Sequence, residues 1–190
     1  MTGETTAGDL NTAKLPPFAQ VERNIILGLD WRVETTITRL GTTGKNPNGT
    51  RSGGSAIVLP IPLLPGESVT TEGIRVENGH VLINMSANQT SASWQSLLNM
   101  QDKLQLNAPQ TTQWTEVWNL DISPIWHLQY QGIPVIRHQQ ADRWLPQWRP
   151  WPGEQVTLTL SRPQGVEGQT TTIDNSRIDI NPGIRITNVS

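Results

Sequence analysis

The chain predicts an all-β protein, an antiparallel β-sandwich of about ten to twelve short strands, built as one sandwich or as two packed β units. Three observations carry this. Short apolar runs alternate with polar residues at period two along most of the chain. Turn chemistry separates the runs, with 16 glycines and 14 prolines among 190 residues. No stretch carries a convincing helical stripe, the nearest being SWQSLLNMQDKL at 93–104.

Residues 1–15 are polar, rich in Thr and Gly, and read as a disordered leader ended by Pro16-Pro17. Residues 16–190 read as the β-sandwich domain, with a candidate subdivision near 108–112. The clearest strand is IILGLDWRVETTI, 25–37. Ile25, Leu27, Leu29, Trp31, Val33 and Ile37 share one parity, and Gly28, Asp30, Arg32, Glu34 and Thr36 the other. That pattern predicts one long strand, wet on one face, with Gly28 marking a bulge or bend. GTTGKNPNGTRSGGS, 41–55, has no apolar residue and reads as a surface loop. Next, Ile57, Leu59, Ile61 and Leu63 alternate with Val58, Pro60 and Pro62. Proline cannot donate to a ladder, so an edge strand is expected there.

Pro65-Gly66 suits the centre of a type II turn. Asn78-Gly79, between two apolar runs, is the strongest short-range hairpin signal in the chain. Further strands are expected at 91–97, 103–106, 113–122, 125–130, 133–136, 155–161, 171–173, 177–180 and 183–187. PGESVT at 65–70 recurs as PGEQVT at 152–157, and GIRV at 73–76 as GIRI at 183–186. The offsets differ, so repeated turn chemistry is preferred to an internal duplication. The chain stops inside a strand-like alternation, RITNVS, which reads as a domain of a longer protein.

Composition narrows the function. A net charge of −2, spread along the chain, leaves no basic stripe for phosphates, so nucleic acid is not an expected partner. No apolar run reaches the roughly 20 residues that span a bilayer, so no membrane insertion by this segment is expected. The N-terminal MTGETTAGDLNTAK lacks the regions of a signal peptide. With no cysteine there is neither disulfide nor thiolate chemistry nor a zinc–thiolate site. Sequons at Asn48, Asn84, Asn88 and Asn188 carry little weight in a chain so rich in Ser, Thr and Asn.

Catalytic constellations are weak. Glu116 shares its parity with Trp114, Trp118, Leu120 and Ile122. A carboxylate on an apolar face is either paired or perturbed, and pairing with Arg or Gln is the preferred reading. Asp121, Ser123 and His127 have the residue types of a triad, but on one local segment without a nucleophile elbow. His80, His127 and His138 lack metal-ligand spacing, and the Asp174-Asn175 turn lacks the oxygen density of a calcium loop. Neither a phosphate-binding loop nor a dinucleotide fingerprint is present. No catalytic residue, metal or cofactor is assigned.

The tryptophans remain. Trp114 and Trp118 lie about 13 Å apart on one strand face, a spacing that suits alternate sugars of a glycan and equally two core side chains. The core reading is preferred. RWLPQWRPWPGE, 143–154, carries Trp144, Trp148 and Trp151 between Pro146, Pro150 and Pro152, without period-two order. The prolines hold it extended. Arg143 and Arg149 interleave with the indoles, so a Trp–Arg stack clamped to the sandwich is one reading. An exposed aromatic platform for a saccharide or a peptide is the other. W-R-P-W also fits a tryptophan-mannosylation pattern and the Trp/Arg ladders of thrombospondin-type repeats. Those repeats rely on disulfides that this chain cannot form.

Taken together, PFAQVERNIILGLDWRVET, GSAIVLPIPLLPGESVTTEGIRV, TEVWNLDISPIWHLQYQGIPVI, RWLPQWRPWPGEQVTLTLSRPQGVEGQTTTID and NPGIRIT cover most of residues 16–187. This set resembles a region of large uncharacterised multi-span envelope membrane proteins of Gram-negative bacteria. The resemblance implies a periplasmic or otherwise extracytoplasmic β domain between or beside membrane spans. It transfers no catalytic motif. The expectation is therefore a non-enzymatic interaction or structural module, whose partners are other domains of its parent protein or envelope proteins. The alternative is a carbohydrate-binding module using Trp144, Trp148 and Trp151, with Arg143, Arg149, Trp114 and Trp118 as further ligand contacts.

Overall fold

A computed structural model of the protein describes residues 18–40 and 55–162. These residues form thirteen strands and no helix. In order they are β1 (Phe18–Leu27), β2 (Trp31–Leu40), β3 (Ile57–Pro62), β4 (Glu67–Val69), β5 (Arg75–Glu77), β6 (His80–Met85), β7 (Ser91–Leu98), β8 (Lys103–Asn107), β9 (Trp114–Ile122), β10 (His127–Gly132), β11 (Ile136–Gln140), β12 (Arg143–Trp148) and β13 (Gln155–Ser161). Seven make one sheet in the order β11-β12-β9-β1-β2-β7-β4. Two three-stranded sheets, β10-β13-β8 and β3-β6-β5, complete the fold, and the sheets do not close into a barrel. Pairing is antiparallel except between β1 and β9, which run parallel. The all-β sandwich expected from the alternation is thus the fold observed.

Strand alternation explains how three sheets make one sandwich. Ala19, Val21, Ile25 and Leu27 of β1 share a parity and therefore a face. Ile25 and Leu27 join Trp31, Val33, Trp118, Leu120 and Trp148 in one buried cluster, closed by Leu104, Leu106, Val156, Leu158 and Leu160 of β8 and β13. Ala19 and Val21 join Ile37, Trp94 and Trp114 in a second, closed by Leu59, Ile61, Val81, Ile83 and Met85 of β3 and β6. Both small sheets therefore cover the same face of the large one, side by side. Residues 108–112 connect β8 in a small sheet to β9 in the middle of the large sheet.

The turn signals hold. Asn78 and Gly79, at φ 48° and 73°, form a two-residue hairpin turn that pairs Glu77 with His80. Gly66 and Gly153 take φ 79° and 86°, and each Pro-Gly turn is closed by a backbone bond, Glu67 N–H to Leu64 O and Glu154 N–H to Trp151 O, both at 3.0 Å. The repeated PGE has a reason. Glu67 Oε2 accepts Leu64 N–H at 2.7 Å, and Glu154 Oε2 accepts Trp151 N–H at 2.8 Å. β4 and β13 lie in different sheets, as repeated turn chemistry would leave them. β3, with Pro60 and Pro62, is an edge strand as expected.

Three expectations are corrected. The run 25–37 is not one strand but the hairpin of β1 and β2. Its loop has three residues, Gly28 to Asp30, so Leu27 pairs directly with Trp31 and the apolar parity continues through the turn. Leu29 completes the pattern by coincidence and is 77% exposed at the tip. Second, 143–148 is a strand with partners on both sides: β11 along its length, and β9 at Gln147 and Trp148. Third, the strands expected at 125–130 and 133–136 begin later, at His127 and Ile136. The leader 1–15, most of the loop 41–55, and the strands expected at 171–173, 177–180 and 183–187 lie outside the described residues.

Candidate functional site

Glu116 lies between the two apolar clusters, on the covered face. Arg23 Nε donates to Glu116 Oε2 at 3.1 Å, and Arg23 Nη2 to Oε1 at 3.4 Å. The Trp118 indole N–H donates to Oε2 at 2.6 Å and that of Trp114 to Oε1 at 3.4 Å. Arg23 also donates to Pro62 O at 2.7 Å, and its Nη1 lies 3.7 Å from the buried Glu67 Oε2. The carboxylate is therefore paired, and its four donors leave no lone pair turned to a substrate. The sequence reading found Glu116 but missed Arg23. The signal was there, since Arg23 shares its parity with Val21 and Ile25.

The local Asp121, Ser123 and His127 set does not assemble. Asp121 accepts from Arg143 (Nη1 to Oδ2, 3.3 Å), Ser123 N–H bonds Leu27 O, and His127 is exposed on β10 in another sheet. No hydrogen bond joins the three. Among the described residues, no group of three His, Asp or Glu side chains suits a metal ion.

The five tryptophans of the sequence reading separate into two groups. Trp114, Trp118 and Trp148 are buried in the two cores, and Trp148 meets Tyr130 edge-on at 5.6 Å. Their faces are covered by protein and cannot stack on a ligand. Trp144 and Trp151 are 62% and 76% exposed. The Trp–Arg stack expected in 143–154 does not form. Arg143 is drawn to Asp121 and Arg149 to Gln147, both on the opposite face of the sheet from Trp148. Among the described residues the one cation–π contact joins Arg162 to Trp126, at 4.7 Å.

Trp151 is held out by a rigid turn. Its N–H and C=O close the Pro152-Gly153 turn, which two further backbone bonds of 2.9 Å pin to Ala108. Pro150 is buried beneath. The indole then forms one side of an open groove of about 370 Å³, lined also by Gln20, Thr115, Val117, Arg149 and Pro152. Gln20, Thr115 and Val117 belong to the face of the large sheet turned away from the two small sheets, opposite in parity to Val21 and Trp114. A polar ladder fixes the neighbouring side chains. Arg149 Nε donates to Gln147 Oε1 at 3.1 Å, Gln147 to Asn119 Oδ1 at 2.7 Å, and Asn119 to Glu22 at 2.7 Å and Asn24 at 2.8 Å. Among the described residues, both terminal amino groups of Arg149 are free of protein partners, and the Gln20 and Thr115 side chains form no hydrogen bond. The groove thus joins an indole face to a guanidinium, an amide and a hydroxyl in reach of one ligand.

No known family model matches this chain, and no curated protein is significantly similar to it. Among the described residues no helix is long and apolar enough to cross a membrane.

Proposed function

We propose that the chain is a non-enzymatic β-sandwich module of a larger bacterial envelope protein, placed outside the cytoplasm, that makes contact through the groove beside Trp151. The observation that carries this is the exposed indole itself. A large apolar ring held in water by a braced turn forgoes burial that the fold had room to give its other tryptophans. The closed hydrogen-bond shell of Glu116 and the Asp121–Arg143 pair support the non-enzymatic reading. The envelope setting rests on the resemblance of residues 16–187.

The chemistry of the groove favours a saccharide over a protein contact. Sugar C–H faces stack on indole, while hydroxyls take hydrogen bonds from guanidinium, amide and hydroxyl groups. Binding is measured by titration calorimetry with a glycan panel, comparing wild type with Trp151→Ala. A ligand that binds the wild type and not the variant, at unchanged melting temperature, supports the reading. Equal binding by both removes the groove as the contact site.

A further inference from the structure

The face of the seven-stranded sheet turned away from the two small sheets holds a second groove. Glu34 and Thr36 of β2 and Ser93 and Gln95 of β7 line it, with Thr71 at its edge, in a volume of about 330 Å³. Thr71 is braced there, because its hydroxyl accepts Gln95 N–H at 2.8 Å. The register joins the two grooves. Val117 lies beside Glu22, Glu22 beside Thr36, and Thr36 beside Ser93, in one row across four strands. Thr115, Gln20, Thr38 and Ser91 form the next row, and Asn119, Asn24, Glu34 and Gln95 the third. From β9 to β7 is three strand spacings, roughly 14 Å, before the reach of Trp151 is added. The Thr36, Thr38, Ser91 and Ser93 side chains make no hydrogen bond among the described residues, so this strip keeps its donors and acceptors for a ligand.

We propose that a neutral linear glycan lies across these strands, stacked on Trp151 at one end and hydrogen-bonded in the Thr36–Ser93–Gln95 groove at the other. This rests on the saccharide reading of the Trp151 groove. The chemistry selects the occupant. A bound peptide needs a free sheet edge for its backbone or a series of apolar pockets, and this strip runs through sheet interior, lined by hydroxyls and amides. A strongly charged polymer is disfavoured because Glu22 and Glu34 lie in the strip while Arg149 stands at its end.

The test uses β-1,4-linked glucose and N-acetylglucosamine oligosaccharides, as disaccharides and hexasaccharides, titrated against the chain by calorimetry. The hexasaccharide of the preferred sugar binds about tenfold more tightly than its disaccharide, the gain from two or three added hydrogen bonds. The exposed pair Ser93→Ala with Gln95→Ala removes that gain and leaves disaccharide binding unchanged, while Trp151→Ala abolishes both. Equal affinity for the two lengths, insensitive to Ser93 and Gln95 but lost in Trp151→Ala, overturns the crossing path and leaves the Trp151 groove standing. No binding by either series, with all variants folded, overturns both.

Discussion

Replacing Glu116 with Gln tests whether the buried pair joins the two cores as a unit. The amide oxygen of the Glu116→Gln variant would still accept from the Trp118 indole N–H, which lies 2.6 Å from Oε2 in the wild type, while its NH2 would face the Trp114 and Arg23 donors at Oε1, so the charge and one set of acceptor sites are lost together. It leaves the Arg23 guanidinium buried, with only Glu67 at 3.7 Å as a counter-charge. Breaking a buried pair from one side costs about 3–5 kcal/mol, because the remaining charge is stranded. The two bonds at 3.1 and 3.4 Å are long for a charge-assisted pair, so the lower end, about 3 kcal/mol, is expected. With an m-value of about 2 kcal/mol per molar urea, the unfolding midpoint falls by about 1.5 M. Arg23→Met alone costs a similar amount, and the double variant costs much less than the sum. A coupling of about 2 kcal/mol is expected from this double-mutant cycle, read by urea unfolding of tryptophan fluorescence. A coupling below about 0.5 kcal/mol would refute the argument that Arg23 and Glu116 form one buried unit.

Other substitutions separate the corrected elements from the sequence pattern. Leu29→Ser should change stability by no more than about 0.5 kcal/mol, as at any exposed tip; a loss of about 2–5 kcal/mol by the same unfolding assay would restore the single long strand. Trp144→Phe and Trp151→Phe should each remove a red-shifted, acrylamide-accessible emission component without moving the melting temperature. Trp148→Ala should cost about 3–5 kcal/mol, and a small loss there would contradict its place in the core. At Gly79 an added Cβ meets no atom within 4 Å, so Gly79→Ala should cost only the left-handed strain of its φ of 73°. That is about 1 kcal/mol by chemical denaturation; no loss would argue against the two-residue turn.

Much of the fold was legible because strand period and turn chemistry are local. The parity of Ile57, Leu59 and Ile61, the prolines between them, and Asn78-Gly79 each act within a few residues, and the structure keeps each one. The hairpin at Gly28 was hidden for a local reason as well. A three-residue loop preserves parity, so Leu27, Leu29 and Trp31 read as one uninterrupted face. β12 was missed because it lacks period-two alternation: Gln147 and Trp148 are consecutive and both buried, Trp148 in the core on one face and Gln147 against Asn119 on the other. Of the site, residue types were visible and exposure was not. Trp148 and Trp151 stand three residues apart in one proline-rich stretch, yet one is a core residue and the other the wall of a groove.

Local pattern was enough for the all-β class, the turns, the edge character of β3, and the presence of an acidic group on an apolar face. Each follows from alternation and from the φ preferences of Gly, Asn and Pro. Long-range packing was needed to set β1 and β9 side by side in parallel, which brings Arg23 to Glu116 across 93 residues of chain. The same packing lays both small sheets on one face of the large sheet and places Trp151 at the margin of the other. Pairing across that distance depends on which buried faces meet when the sheets pack, and no local pattern encodes that choice.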